Sequence, residues 1–233
     1  MTPATGGPPS DVPLVFVDDL DAPALDTADR HHLGRVLRVA DGAPITIADG
    51  AGEWRAARFD DVVVPLGERF VEPFLPPPIT IAFALVKGDR PELVVQKLTE
   101  LGADAIVPFI AARSVVRWDY ARAARNVDRL QRVAREAAMQ CKRARLPIVE
   151  PLRAFADVVA RDGAVLAERN GAPPSLAAPT VLIGPEGGWT AEEHAAARGT
   201  VGLATHVLRA ETAAIAACTL LASLRAQADA PRA

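Results

Sequence analysis

The stretch Thr180-Val181-Leu182-Ile183-Gly184-Pro185-Glu186-Gly187-Gly188-Trp189-Thr190-Ala191-Glu192-Glu193 decides the fold class. Its first four residues form an apolar run that reads as a buried strand. Its last four, Thr-x-x-Glu, read as a capping box that opens a helix. Between them lie three glycines and a proline. Such a turn leaves backbone N–H groups bare and lets a ligand approach the main chain. It does so at the C-terminal end of a strand, where α/β sheets carry their sites. The spacing also fits a tight βα turn without a ligand, because short glycine motifs recur without function.

Strands and helices alternate around this turn. Ile79 to Val86 is nearly continuous in apolar residues, as expected of a strand covered on both faces. Asp89-Arg90-Pro91-Glu92 starts a helix, with Asp89 as N-cap and Pro91 in the first turn, and Gly102 closes it. Ala105 to Ile110 reads as a strand, and about Asp119 to Cys141 as a long helix. Gly163 to Ala167 and Ala204 to Leu208 read as strands, and Glu211 to Arg225 as a C-terminal helix. The alternation predicts a parallel α/β sheet.

The pattern before residue 79 is different. Leu14 to Val17, Ile45 to Ala48, Trp54 to Phe59 and Val62 to Val64 are short strand-like runs. Asp41-Gly42, Asp49-Gly50 and Ala51-Gly52 separate them, which predicts a small β-barrel. The expected organisation is a disordered tail at 1–11, a β-rich domain at 12–72, a proline-rich linker at 73–78 and an α/β domain at 79–229. The tail has no basic segment and no apolar core, so it does not read as a signal peptide.

Of the 233 residues, half are hydrophobic, enough to bury a substantial core. No apolar run approaches the roughly 18 residues that span a bilayer. Cys141 and Cys218 are far apart and read as reduced thiols of a cytosolic protein. The four histidines show no paired Cys/His spacing, so no metal site is expected. The net charge of −3 hides an asymmetry: Arg113 to Arg145 carries ten basic residues and three acids, +7, and the rest of the chain −10. That points to a polyanion partner, or else to a solvated helix face. At helical spacing Arg122, Arg125, Arg129, Arg132 and Arg135 share one side, with Leu130, Val133, Ala134, Ala137 and Cys141 on the other.

Three segments are expected as loops at the C-terminal ends of neighbouring strands: Glu168-Arg169-Asn170-Gly171, Gly184 to Gly188, and Arg209-Ala210-Glu211-Thr212. They would share one crevice. The chain has no Gly-x-Gly-x-x-Gly fingerprint, Walker lysine or Gly-x-Ser-x-Gly elbow. What remains is a pocket rich in backbone donors and acceptors, suited to an adenine and a zwitterionic amino-acid tail.

Five segments in register resemble the ribosomal RNA small subunit methyltransferase E family of the SPOUT superfamily. They are His31 to Arg38, Gln96 to Gly102, Glu136 to Arg143 with Pro147, Leu182 to Gly188, and Val207 to Ala213. The resemblance runs from about Phe16 to Leu224. It implies a PUA-like β-barrel at the N-terminus, then a SPOUT α/β domain with a C-terminal deep trefoil knot. It also implies a homodimer that uses S-adenosyl-L-methionine to methylate N3 of one uridine in the decoding region of 16S rRNA, free or in the small ribosomal subunit. Two positions depart from the family pattern. Leu14-Val15-Phe16 lacks an Arg before the first strand's aromatic residue, and Lys142 stands where Gly is common.

By position, the resemblance implies cofactor contacts at Leu166, Ala167, Glu168, Gly184, Glu186, Gly187, Gly188, Val207, Leu208 and Thr212. It implies catalytic roles for Arg209, Glu211 and Arg143, and RNA contacts at His32, Arg35, Arg38, Arg125 and Arg132. For Arg209 the alternative is a helix-start arginine paired with Glu211. Trp54 is a further candidate RNA contact, whereas Trp189 reads as a packing residue. Two other readings stay open: a SPOUT enzyme acting on a tRNA base or a ribose 2′-hydroxyl, and a non-catalytic RNA-binding protein.

Overall fold

The computed structural model describes residues 4–85, 90–116 and 118–230. They fall into two compact units, one of residues up to 74 with Arg135–Leu146, the other of Leu75–Ala134 with residues from 147 onward.

The first unit contains β1 (Ala4–Thr5), β2 (Leu14–Phe16), α1 (Thr27–His31), a π-helical turn (His32–Val36), β3 (Pro44–Ala48), β4 (Glu53–Arg58) and β5 (Val64–Val71). The strands form one mixed sheet in the order β1-β5-β4-β3-β2. Its inner pairs are antiparallel and its outer pairs parallel. Val15, Leu33, Ile45, Ile47 and Ala57 are buried together, with Ala138, Met139 and Ala144 packed against them. The expected strand at Val62 to Val64 lies instead at Val64–Val71, a half-exposed run with Pro65 and Gly67 inside it. No face of β5 is fully buried, so its sequence carries no apolar alternation to read.

The second unit contains β6 (Thr80–Ala84), α2 (Arg90–Glu100), β7 (Ala105–Ile110), α3 (Tyr120–Cys141), β8 (Ile148–Val149), β9 (Arg153–Ala154), α4 (Phe155–Val159), β10 (Ala164–Ala172), β11 (Thr180–Ile183), α5 (Ala191–Ala196), β12 (Thr200–Val201) and α6 (Ala210–Asp229). The last residues of α3, from Arg135, belong to the first unit. The sheet order is β12-β10-β11-β6-β7-β8, with β9 also paired to β7. Every pairing in it is parallel, as the alternation of elements predicts. Ile81 and Phe83 of β6 enter one buried cluster with Leu98, Cys218 and Leu221. Ala82 and Ala84, on the opposite face, enter another with Val107, Phe109, Leu166 and Leu182. Coverage of both faces is why this strand reads as a continuous apolar run. Pro91 sits buried in the first turn of α2 as expected. The expected N-cap, Asp89, lies outside the described residues.

Two sequence expectations are corrected here. Ala204 to Leu208 is not a strand: the chain pairs with β10 only at Thr200–Val201 and then leaves the sheet. Val207 is 80% exposed, so the apolar character of this run does not come from core packing. Glu168 to Gly171 is not a free loop either but a bulged continuation of β10, with a register shift between Ala167 and Ala172 opposite Val201. A Cβ at Gly171 would fall 2.4 Å from the Val201 carbonyl carbon, so only glycine permits this approach. Among the described residues no helix is long and apolar enough to cross a membrane.

Candidate functional site

The second unit holds a cavity of about 550 Å³ at the C-terminal ends of β10 and β11. Parallel pairing brings those two ends to the same edge of the sheet. Three segments wall the cavity: Ala167 to Arg169; Ile183 to Glu186 with Gly188 and Trp189; and Leu203, Ala204 and His206 to Ala210.

The glycine loop takes its shape from packing. A Cβ at Gly184 would lie 2.9 Å from the Trp189 indole, so the ring fills the space a side chain would need. Gly188 has φ +70, the left-handed region that glycine occupies without strain. The indole stacks on Phe109 at 6.2 Å between ring centroids and donates from Nε1 to the Ala167 carbonyl at 3.2 Å. Trp189 therefore joins two walls of the cavity, in keeping with its reading as a packing residue. The capping box forms as read. Glu193 N donates to Thr190 Oγ1 at 3.2 Å, and Thr190 N donates to Glu193 Oε2 at 2.9 Å. Glu193 Oε1 also accepts from Ala112 N at 2.8 Å, which ties α5 to the chain after β7.

Of the sequence-predicted cofactor residues, Ala167, Glu168, Gly184, Glu186, Gly188, Val207 and Leu208 line the cavity, as does Arg209. Leu166, Gly187, Glu211 and Thr212 are not among the lining residues. Leu166 is fully buried in the core beneath, and its N–H donates to the Gly199 carbonyl at 3.1 Å. The Gly187 carbonyl accepts from Arg113 Nη1 at 2.9 Å.

Arg209 is the N-cap of α6 and makes no side-chain cap bond. Among the described residues no ion pair engages its guanidinium, so it does not pair with Glu211. Glu211 instead lies 4.0 Å from Arg90 Nε, with its side chain 13% exposed. Its Oε2 is buried without a hydrogen-bond partner among the described residues. Glu186 accepts from Arg90 Nη1 at 3.2 Å, and Glu168 pairs with His194 Nε2.

Sequence reasoning missed Arg90, Arg113, His194 and His206 at or behind this cavity. His206 was hidden because its segment reads as a strand. The others reach the site through pairings distant in the chain and leave no local signal.

Arg143 lies in the first unit, in the turn after α3. Before it, Lys142 has φ +61, a backbone state that glycine adopts freely. This explains why a glycine suits that position. Burial pulls the Lys142 ammonium below the usual lysine range. Arg35 and Arg38 are exposed and His32 is half-buried, around the π-helical turn. Arg125 and Arg132 are exposed on α3. Two other arginines of the expected basic stripe are occupied. Arg129 pairs with Glu92 at 3.1 Å. Arg135 turns inward, donating to both oxygens of buried Asp29 at 2.8 and 2.6 Å and to the Phe16 carbonyl at 3.1 Å. Trp54 is buried, stacks on Phe70 at 4.6 Å and donates to the Gly6 carbonyl at 2.7 Å. Its ring is used in packing, which corrects its reading as an RNA contact. Among the described residues no group of three His, Cys, Asp or Glu is placed to hold a metal ion.

Residues 74–222 match the model of a family described as an RNA methyltransferase domain. The chain is 32% identical over 249 residues to the ribosomal RNA small subunit methyltransferase E of Mycobacterium bovis, covering 93% of this chain and 94% of that protein. It is 32% identical over 219 residues to the protein of the same name from Bacillus subtilis, covering 82% and 86%. The fold is similar to a crystal structure of a ribosomal RNA small subunit methyltransferase E from Neisseria gonorrhoeae bound to S-adenosyl methionine. That likeness has a TM-score of 0.80 and 30% identity, over 91% of this chain and 98% of that one. On the strength of the matched model and of relatives similar over most of its length, the chain belongs to the RNA methyltransferase family that includes the ribosomal RNA small subunit methyltransferases E.

Proposed function

We propose that this protein methylates N3 of one uridine in the decoding region of 16S rRNA in the small ribosomal subunit, with S-adenosyl-L-methionine as donor. The observation that carries the reading is the cavity itself. Segments matching the family motifs wall it, and Arg209 stands at it with a guanidinium that no ion pair occupies among the described residues. Relatives carry the rRNA methyltransferase name, and a similar structure was solved with S-adenosyl methionine bound.

The residues present fit such a cofactor. The volume of about 550 Å³ is in the range of small-molecule sites. Backbone groups of Gly184, Gly188, Val207 and Leu208 would hold the adenine and the amino-acid tail. The carboxylates of Glu168 and Glu186 would take its hydroxyl or ammonium groups. Leu166, Gly187 and Thr212 would support these contacts from behind. The bound cofactor supplies a methyl group activated on a sulfonium.

The remaining steps belong to the chain's own residues. Uracil N3 has to lose its proton before it can attack, and Glu211 or water takes that proton. Arg209 stabilises the developing uridine anion, the kind of preorganised charge that contributes most to such steps. Arg143, as the resemblance implies, holds a substrate phosphate or the uracil across the dimer. His32, Arg35, Arg38, Arg125 and Arg132 neutralise RNA phosphates. The target base leaves its stack to enter the cavity, and alignment of N3 with the methyl group does much of the rest.

The same reading includes a PUA-like barrel at 12–72, a linker at 73–78 and a SPOUT domain at 79–229 with a deep trefoil knot. It also includes a cytoplasmic homodimer that completes the cofactor site. The motif resemblance supports these features.

The test is methyl transfer from labelled S-adenosylmethionine to unmodified small ribosomal subunits, mapped by nuclease digestion and mass spectrometry. One N3-methyluridine in the decoding region is the expected product. Cofactor binding without transfer to subunits, naked rRNA or tRNA overturns the proposal.

A further inference from the structure

We infer that Arg90 is a positioning residue for the cavity: its guanidinium ties the glycine loop to the start of α6. The inference rests on the cofactor reading given above and goes beyond it by assigning a role to a side chain that does not line the cavity.

Arg90 is the first residue of α2, the helix that follows β6. β6 pairs directly with β11, so the start of α2 and the glycine loop emerge from neighbouring strands at the same sheet edge. From there Arg90 reaches two acidic side chains on two different segments. Its Nη1 is 3.2 Å from Glu186 Oε1 and its Nε is 4.0 Å from Glu211 Oε1. Glu186 lines the cavity, and Glu211 follows the cavity residue Arg209 by two positions. One cation thus serves two carboxylates on two segments, the glycine loop and the first turn of α6.

The chemistry of the side chain suits that task. A guanidinium presents donors along two edges in a fixed plane and can serve two acceptors at once, whereas an ammonium is a point charge on a flexible stem. Glu211 is largely buried and has one oxygen already without a partner among the described residues. Without Arg90 it becomes an uncompensated carboxylate. Glu186 is half-exposed and without Arg90 loses the contact that holds it at the wall. Arg113 braces the other side of the same loop through the Gly187 carbonyl at 2.9 Å. With both arginines in place the walls are set before a ligand arrives, and a preorganised site binds more tightly.

An exposed ion pair by itself contributes little. The quantity that distinguishes positioning from a bland surface contact is the coupling between Arg90 and Glu186 in ligand binding. Titration calorimetry with S-adenosylmethionine on the full chain measures it for wild type, R90A, R90Q, R90K, E186Q and the double variant R90A/E186Q. R90A and R90Q are expected to raise Kd about fivefold, with R90K between them and wild type. The double variant is expected to lose less than the product of the two single losses, because part of what E186Q removes is the contact that R90A already lacks.

Should R90A fail to fold, R90Q and the double variant R90Q/E186Q carry the same decision. A Kd within twofold of wild type for R90Q overturns the inference, and so do independent, multiplicative losses in the double variant. Failure of the wild-type chain to bind S-adenosylmethionine overturns the cofactor reading itself, and is thereby distinguished from a failure confined to the variants.

Discussion

Arg132 and Arg135 stand three residues apart on the same basic side of α3, yet replacing them by alanine should have opposite consequences. Arg135 makes two hydrogen bonds to Asp29, whose side chain is 7% exposed, and its guanidinium lies 5.6 Å from the Phe16 ring centroid. Removing it leaves a buried carboxylate without its cation, which costs about 3 kcal/mol at the low end of such losses. That is roughly a 100-fold loss of protection from hydrogen exchange in amides that open only with the unit. The assay is hydrogen exchange on β3 and β4, which share the unit with Asp29 and Arg135. Replacing the pair together, as D29L/R135M, removes the orphaned charge and should cost about 1 kcal/mol or less. R132A should leave protection unchanged, because Arg132 is exposed. Its effect belongs in RNA affinity, where one lost phosphate contact lowers the salt slope by roughly 0.7 to 0.9. If R135A loses less than about fivefold protection, or lowers the RNA salt slope as R132A does, the inward role assigned to Arg135 is wrong.

Three further outcomes follow from other parts of the molecule. R209A should lower kcat about 100-fold, as loss of a charge-stabilising donor does, with S-adenosylmethionine affinity changed less than about threefold; equal losses would make Arg209 a cofactor or folding residue. K142G should raise the thermal midpoint, since a lysine at φ +61 bears a left-handed backbone cost that glycine avoids, for a net gain of about 0.5 kcal/mol; an unchanged or lower midpoint refutes the strain. Glu150 is held below the ordinary glutamate range by its hydrogen bond to Arg161, with Arg153 adding to the effect. Its contribution to stability is complete above the ordinary value, about 4.3, and is lost as pH falls through the lower folded value. Urea midpoints of wild type and E150Q should therefore converge below about pH 4, and parallel curves there would refute the assignment.

Much of the second unit was legible because burial on both faces imposes a simple pattern. β6 and β11 are continuous apolar runs, Gly102 ends α2 with φ +89, and the Thr190–Glu193 box caps α5 as written. Legibility fell where a residue's environment is set by a distant partner. Nothing near Arg135 in the chain announces Asp29, 106 positions away, and nothing near Arg90 announces Glu186, 96 positions away. An arginine that neutralises a buried carboxylate and one that waits for a phosphate look the same in a helical stripe, because period reports only the side of the helix.

The run Ala204 to Leu208 shows the same limit at the site itself. It lines the cavity as an irregular segment and contributes His206, Val207 and Leu208 to it, yet its composition reads as a strand. A cavity wall and a strand make the same demand on a short stretch of chain, since both favour apolar side chains. What separates them is whether the backbone finds partners in the sheet, and here pairing with β10 stops at Val201. Gly202 N still donates to the Ala172 carbonyl at 2.9 Å, and among the described residues no backbone bond ties 203–208 to β10 after it. The length of β12 therefore controls the site: extending its pairing beyond Val201 would draw 203–208 into the sheet and remove one wall of the cavity.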